Sequence, residues 1–286
     1  MRIAVASGKG GTGKTTVSIA LALANRDRIR LVDCDVEEPN AHLFLPGQEV
    51  RTTEVTASVP RVDPSLCTQC GICVDFCQFN ALALAGTAGL MVFPELCHDC
   101  GGCLLVCPQQ ALSASPVPRG TVTTTLHDAT LELVTGRLAV GSPSAPTVIR
   151  ATIRTAPLHA RPVEILDAPP GTACSFATTV QSADFCLFVT DPTPFGLHDM
   201  RLALEAIRGM GLPCAAVVNR STGLDDLAAS TCAELGLPIL LRIPESRTIA
   251  EAYARGGTLL DTDSTWNDRL RTLLDTIVAS TSWTSP

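Results

Sequence analysis

Gly8-Lys9-Gly10-Gly11-Thr12-Gly13-Lys14-Thr15 fits the phosphate-loop pattern G-x-x-x-x-G-K-[ST], and it lies between an apolar run and a stretch of helical composition. No other feature restricts the fold as strongly. Glycines let successive backbone N–H groups curl round phosphate at the start of a helix, a lysine neutralises the charge, and a hydroxyl ligates Mg²⁺. The motif needs a strand before it and a helix after it. Arg2 to Ala6 and Lys14 to Ala24 supply both.

The rest of the chain extends that unit. Ile29 to Val32, Val163 to Leu166, Phe185 to Val189, Cys214 to Val218 and Pro238 to Ile243 read as buried strands. Between them lie helical stretches at Leu197 to Gly209, Leu224 to Leu235 and Trp266 to Ala279. Strands apolar on both faces and alternating with helices predict an α/β fold with a doubly wound, mostly parallel sheet. Such a sheet binds its ligand at the carboxyl ends of its strands. In the last helix Leu270, Leu273, Leu274, Ile277 and Val278 share one side, and Arg269 and Arg271 are too few for a membrane-binding face, so core packing is expected.

Carboxylates gather where that ligand should sit. Asp33 and Asp35 end the second strand, and Asp167 opens Asp167-Ala168-Pro169-Pro170-Gly171 after a third. Carboxylates at strand tips beside a phosphate loop suit Mg²⁺ coordination and the positioning of an attacking water. Asp167 can hold the magnesium's water shell, and Gly171 can present its N–H to a γ-phosphate, which makes this loop a switch.

The segment from about 61 to 115 interrupts the alternation with an internal repeat. Cys67, Cys70, Cys73 and Cys77 recur 30 residues later (67 to 97) as Cys97, Cys100, Cys103 and Cys107. Pro64-Ser65-Leu66-Cys67 likewise returns as Pro94-Glu95-Leu96-Cys97. C-x2-C-x2-C-x3-C is the run of bacterial two-cluster ferredoxins, in which the fourth cysteine of each run ligates the other cluster. The expected sets are Cys67, Cys70, Cys73 and Cys107 for one [4Fe–4S] cluster, and Cys97, Cys100, Cys103 and Cys77 for the second. Zinc would want paired Cys-x2-Cys units at wider separation. The copies differ at one neighbouring position, where Gln78 stands in place of Pro108. Domains of 61–115 and, discontinuously, 1–60 with 116–286 follow, with Gly120 to Val140 leading back as antiparallel strands. Cys34, Cys174, Cys186, Cys214 and Cys232 lie in or beside apolar segments and read as ordinary buried thiols.

Composition narrows the function classes. Of 286 residues 46 % are hydrophobic and 17 % charged, which excludes a disordered chain. A net charge of −7 does not favour bulk binding to nucleic acid. No apolar run reaches the roughly 18 residues of a membrane span. The first residues show no signal-peptide pattern, and thirteen cysteines in a long chain point to metal in a reducing cytoplasm.

The second lysine of the loop, Lys9, makes the motif resemble the deviant Walker A sequence of the MinD, ParA and nitrogenase-iron-protein ATPases. With the cysteine repeat, the whole chain resembles members of the MinD superfamily that contain an inserted ferredoxin domain. The resemblance implies a nucleotide-dependent homodimer, or a heterodimer with a paralogous ATPase, in which Lys9 reaches the partner's nucleotide. It gives Lys14 and Asp35 the catalytic roles, with Asp35 activating water and Asn40 in a switch I segment. Thr15, Asp33 and Asp167 then surround magnesium, and Gly8, Gly10, Gly11, Thr12, Gly13 and Thr16 complete the ATP loop. Asn219 and Pro244 resemble the residues that read and line the adenine. The implied function is an ATPase whose dimer switch is coupled to electron transfer through two clusters, toward a redox or metallocofactor protein. The alternatives are an iron–sulfur assembly factor and a spatial-organising switch with the clusters as sensor.

Overall fold

Short β-branched runs broken by glycine and proline loops produce the expected alternation. A computed structural model describes residues 1–223 and 225–279. It begins with β1 (Arg2–Ala6), α1 (Lys14–Ala24), β2 (Ile29–Asp33) and a long β3 (Gln48–Val62). The cysteine segment follows as α2 (Ile72–Phe76), β4 (Leu82–Leu84), β5 (Leu90–Val92) and α3 (Gly102–Val106), and β6 (Leu112–His127) and β7 (Leu131–Leu138) lead out of it. Next come α4 (Ala145–Arg154), β8 (Val163–Asp167), α5 (Cys174–Val180), β9 (Phe185–Thr190) and α6 (Pro194–Ile207). The chain continues with β10 (Cys214–Ser221), α7 (Asp226–Glu234), β11 (Ile239–Pro244), α8 (Arg247–Ala254) and α9 (Thr265–Ala279). The helix expected from Leu224 begins at Asp226, and Leu224 itself lies outside the described residues.

One nine-stranded sheet runs in the order β11-β10-β9-β1-β8-β2-β7-β6-β3. Neighbours from β11 to β7 pair in parallel, and β7–β6 and β6–β3 are antiparallel. Side chains alternate across the pleat, so each strand feeds two cores. Ala4, Val32, Leu166 and Phe188 pack under Ile149, Phe176 and Leu197. Ile3, Leu31, Ile165 and Leu187 pack on Val17, Leu21, Leu270 and Leu274. The last helix therefore covers the sheet through Leu270, Leu273, Leu274 and Ile277, whereas Val278 falls off that stripe and stays exposed.

The ribbon of β3 and β6 was not legible as such: only its Gly120 end reads as strand, and β3 is mostly exposed with Thr and Glu scattered along it. It pairs from Gln48 with Leu126 to Val62 with Leu112, and Pro118 is accommodated beside a bulge. Residues 63–111 sit at its far end. Their duplication extends to the backbone: Gln69 and Asp99, Gly71 and Gly101, and Asn80 and Gln110 all have positive φ. The five-residue helices α2 and α3 begin at equivalent positions.

At the amino ends of the strands, Arg30 is buried and donates to Glu132 at 2.8 Å, Glu164 at 2.7 Å and the Thr155 carbonyl at 2.7 Å. Removing one member strands the other's charge without water, a loss of about 3–5 kcal/mol. We expect Glu132→Ala to lower unfolding free energy by that amount in denaturant titrations, and Arg30→Met with Glu132→Leu to recover most of it. An unchanged midpoint for Glu132→Ala contradicts this.

Candidate functional site

The phosphate loop joins β1 to α1, and its shape is set by close approaches. Gly13 has φ of 96°, and a Cβ there would lie 2.2 Å from the Asn219 amide nitrogen. Asn219, near the end of β10, uses that nitrogen to donate to the Thr12 carbonyl at 2.7 Å. Gly8 packs so tightly on α6 that a Cβ would stand 1.9 Å from the Asp199 carbonyl oxygen. Lys14, Thr12 and Ser18 are buried.

Parallel pairing brings the carboxylates together: Asp33 on β2 is opposite Asp167 on β8, and Asp167 is opposite Val5 on β1. Asp33 is fully buried and accepts N–H groups from Asp35 at 3.2 Å and from Asn40 and Ala41 at 3.1 Å each. Both its oxygens are thereby committed to ordering the loop after β2. Asp167 accepts the Ser18 hydroxyl at 2.9 Å through Oδ1, and its Oδ2 is buried with no hydrogen-bond partner.

Burial first, and then the charge of Asp167, push Asp33 well above the usual carboxylate range and Asp35 up to about 6. Burial also raises Asp167, against the Thr15 hydroxyl, Lys14 and Ser18. Lys14 is lowered by burial, opposed by Asp167, Asp35 and Asp33. Three carboxylates and one ammonium share a site whose excess negative charge a divalent cation would balance.

Lys9 and Gly171 are engaged within the chain. Lys9 Nζ lies 3.2 Å from the carboxylate of Asp191, just after β9, so the lysine expected to reach a partner is here held at home. Gly171 donates its N–H to the Ser7 carbonyl at 3.2 Å, not into the phosphate space. Sequence reasoning missed Asp191, whose proximity to Lys9 depends on β9 lying beside β1.

A cavity of about 480 Å³ adjoins the loop, lined by Gly11, Gly13, Thr16, Asn219, Arg220, Pro244 and Tyr253. Asn219 and Pro244 thus meet at one opening. Arg220 and Tyr253 were not anticipated. Arg220 donates to the Gly11 carbonyl at 3.0 Å, and Tyr253 packs at a tilt on Phe44, in the loop ordered by Asp33, with ring centroids 4.6 Å apart.

In the cysteine segment the thiols fall into two groups. One cavity is lined by Cys67, Cys70, Cys73 and Cys107, and a separate one by Cys77, Cys97, Cys100 and Cys103. Each group takes its fourth thiol from the other run. Among the described residues, no group of three or more His, Cys, Asp or Glu side chains is arranged to hold a metal ion. Of the remaining cysteines, Cys34, Cys186, Cys214 and Cys232 are buried as expected, but Cys174 is exposed. It stands at the start of α5, where the polar Gly171-Thr172 loop carries it to the surface.

Comparison with known proteins identifies the class. The chain belongs to the CobQ/CobB/MinD/ParA nucleotide binding domain family, CbiA, which matches residues 3–259. It is similar to two proteins of Methanocaldococcus jannaschii. MJ0578 is 31 % identical over 222 residues (77 % of this chain, 78 % of the relative), and MJ0579 is 28 % identical over 290 residues (99 % and 98 %). Among solved structures, septum site-determining MinD from Pyrococcus horikoshii, complexed with Mg-ADP, has a TM-score of 0.59 at 18 % identity, covering 98 % of this chain and 97 % of that one. The ParA family ATPase of Chlorobium tepidum has a TM-score of 0.57 at 15 % identity, covering 97 % and 98 %. Among the described residues no helix is long and apolar enough to cross a membrane.

The raised Asp35 has a pH consequence. A carboxyl whose folded pKa exceeds its unfolded value of about 3.9 contributes stability that is fully present below that value and lost as pH rises through about 6. We expect Asp35→Asn to flatten the fall in nucleotide-free thermal stability between pH 4 and 6.5. An unchanged slope in the variant contradicts this origin.

Proposed function

We propose that the chain is an ATP-hydrolysing switch that carries two [4Fe–4S] clusters and couples its nucleotide state to them. The observation that carries the second half is the pair of thiol cavities, each ringed by three cysteines of one run and the fourth of the other. That sorting matches two-cluster ferredoxin ligation. Thiols spread round a cavity suit a polynuclear group better than a single chelated ion, so the donor set fits.

On this reading residues 61–115 form an inserted ferredoxin-like domain on an ATPase built from 1–60 and 116–286. Cys67, Cys70, Cys73 and Cys107 hold one cluster, and Cys97, Cys100, Cys103 and Cys77 the other. When bound, the clusters supply one-electron redox chemistry. The free thiols and such clusters call for a reducing cytoplasm.

In the ATPase half the loop N–H groups of residues 8–16 cradle the phosphates, Lys14 neutralises them, and Asn219 with Pro244 faces the adenine. Thr15 and Asp167 would hold the magnesium that accompanies the nucleotide, which would offset the phosphate charge, while Asp33 holds the neighbouring loop in place. Asp35 orients a water and accepts its proton. The water oxygen bonds to the γ-phosphorus, and the bond from that phosphorus to the β–γ bridging oxygen breaks. ADP and phosphate result. Gly171 exchanges Ser7 for the γ-phosphate. Lys9 leaves Asp191 for the nucleotide of a second subunit, either another copy or a paralogue, and closes the dimer.

Lys14→Ala should abolish ATP binding and hydrolysis, whereas Asp35→Ala should still bind ATP, stop turning over and accumulate as a dimer in size-exclusion chromatography. Anaerobically prepared protein should hold about eight iron and eight sulfide per chain, and Cys77→Ser should remove about half. Paramagnetic resonance of the reduced protein should change with Mg-ATP. Absence of iron after reconstitution refutes the cluster half, and spectra indifferent to nucleotide refute the coupling.

The family match favours a second reading, a MinD- or ParA-like spatial switch in which the clusters sense redox state. Nucleotide-indifferent spectra with ATPase activity that depends on oxidation state would select it. Exposure of Cys70 and Cys100 favours an assembly factor, which would pass its clusters readily to an apo-acceptor.

A further inference from the structure

We propose that Arg119 is the positioning residue that transmits the state of the ATP site to the second cysteine run, Cys97–Cys103. The proposal rests on the reading that the thiols hold clusters, and it adds which cluster responds and through which side chain.

The route is a short series of hydrogen bonds. Val36, next to Asp35 and fully buried, accepts the N–H of Leu138 at 2.8 Å. The following amide, Ala139, donates to the Arg119 carbonyl at 2.8 Å. Arg119 lies on β6 and is only 3 % exposed. Its Nη2 crosses to the cysteine segment, donating to the Pro94 carbonyl at 2.9 Å and the Cys97 carbonyl at 3.0 Å. Movement of the loop that carries Asp35 therefore meets two backbone hydrogen bonds and then the Arg119 side chain, which ends at the Cys97 carbonyl.

Electrostatics gives the same residue a second role. The Arg119 Nε is buried with no partner, and among the described residues no carboxylate pairs with the guanidinium. A buried cation without a counter-charge is expensive. The nearby group that can balance it is the second cysteine run, whose Cys97 carbonyl Arg119 already holds at 3.0 Å. A guanidinium beside one cluster site stabilises added negative charge there, which is the direction of reduction.

A second strut leaves the same lobe. Asp99 accepts the hydroxyls of Thr147 at 2.7 Å and Ser144 at 3.3 Å, at the head of α4. Further along α4, Thr152 and Val36 both close on Gly136, where a Cβ would stand 2.3 Å from the Thr152 hydroxyl and 2.7 Å from Val36 Cγ1. Both struts converge on Val36. The cluster held by Cys97, Cys100, Cys103 and Cys77 is thus the one coupled to nucleotide.

The test is a redox titration followed by paramagnetic resonance on the anaerobic, full-length, iron-loaded protein, with and without Mg-bound non-hydrolysable ATP analogue. In the wild type, nucleotide should shift the potential of one cluster. Arg119→Met should lower that cluster's resting potential and remove more than half of the nucleotide-dependent shift, with ATP affinity unchanged. Arg119→Lys should keep most of the resting potential but lose the shift, because a flexible, point-charge ammonium does not fix the Pro94 and Cys97 carbonyls as the planar guanidinium's Nη2 does. A full shift in both variants overturns the role of Arg119 while leaving the clusters and their coupling intact. Wild-type protein without clusters, or without any nucleotide shift, overturns the underlying reading and this proposal with it. Hydrogen exchange on the wild type covers the case in which Arg119→Met loses its clusters. Nucleotide should protect the amides of 138–139 and 97–100 together, and protection confined to 138–139 overturns the route.

Discussion

The parallel register that sets Asp33 opposite Asp167 is the constraint on which the site depends. It forces two carboxylates together at the carboxyl end of the sheet, and the loop after β2 adds Asp35. Like charges in a buried place repel, and Lys14 answers only part of that repulsion. The chain resolves Asp33 by surrounding it with the N–H groups of Asp35, Asn40 and Ala41, so a buried acid that resists ionisation also anchors the loop. Asp167 keeps a buried oxygen unpartnered. The structure is thereby built around a deficit of positive charge that a divalent cation would fill.

The parts legible in the sequence are those whose chemistry depends on near neighbours. Gly8 to Thr15 declares itself because the loop, its lysine and its hydroxyl act within one turn, and the cysteine runs do so because three thiols of each set lie within seven residues. The strand-end positions of Asp33 and Asp167 were readable because apolar runs end visibly. What escaped depends on strand order. Asp191 meets Lys9 only because β9 lies next to β1, Tyr253 meets Phe44 across the sheet, and Arg119 reaches Cys97 only once β6 has returned along β3. β3 itself hid because an exposed ribbon needs no apolar face to announce it. Cys174 was misjudged for a related reason: the residues beside it are apolar, but the loop before it turns outward.

The ribbon also explains how the cysteine segment, residues 63–111, leaves the sheet undisturbed. β3 and β6 pair with each other along their whole length, so the cysteine segment hangs from a hydrogen-bonded stem, not from two free linkers. A stem transmits displacement and a flexible linker does not. Arg119 and Asp99 then tie the near lobe back to β7 and α4, the elements that pack beside Val36. The duplication supplies two similar lobes, and the stem makes them unequal, because those side chains fasten the second run to the sheet's edge.

Charge is buried at both ends of the sheet, and the two ends treat it oppositely. At the amino ends, Arg30 lies between Glu132 and Glu164, with Nη2 donating to the Thr155 carbonyl. That network pairs each buried charge within the chain and holds β2, β7 and β8 in register. At the carboxyl ends Asp167 Oδ2 lacks a partner, and above the adjoining strands Arg119 Nε lacks one as well. An unmet buried donor or acceptor is costly, so its retention marks a place where something else completes the set. The two unmet atoms have opposite sign. One calls for a cation and the other for an anion, and the bonds from Val36 through Leu138 and Ala139 tie the loop after β2 to Arg119. On the proposed reading, that tie is what would carry a change at the nucleotide site toward the cysteine segment.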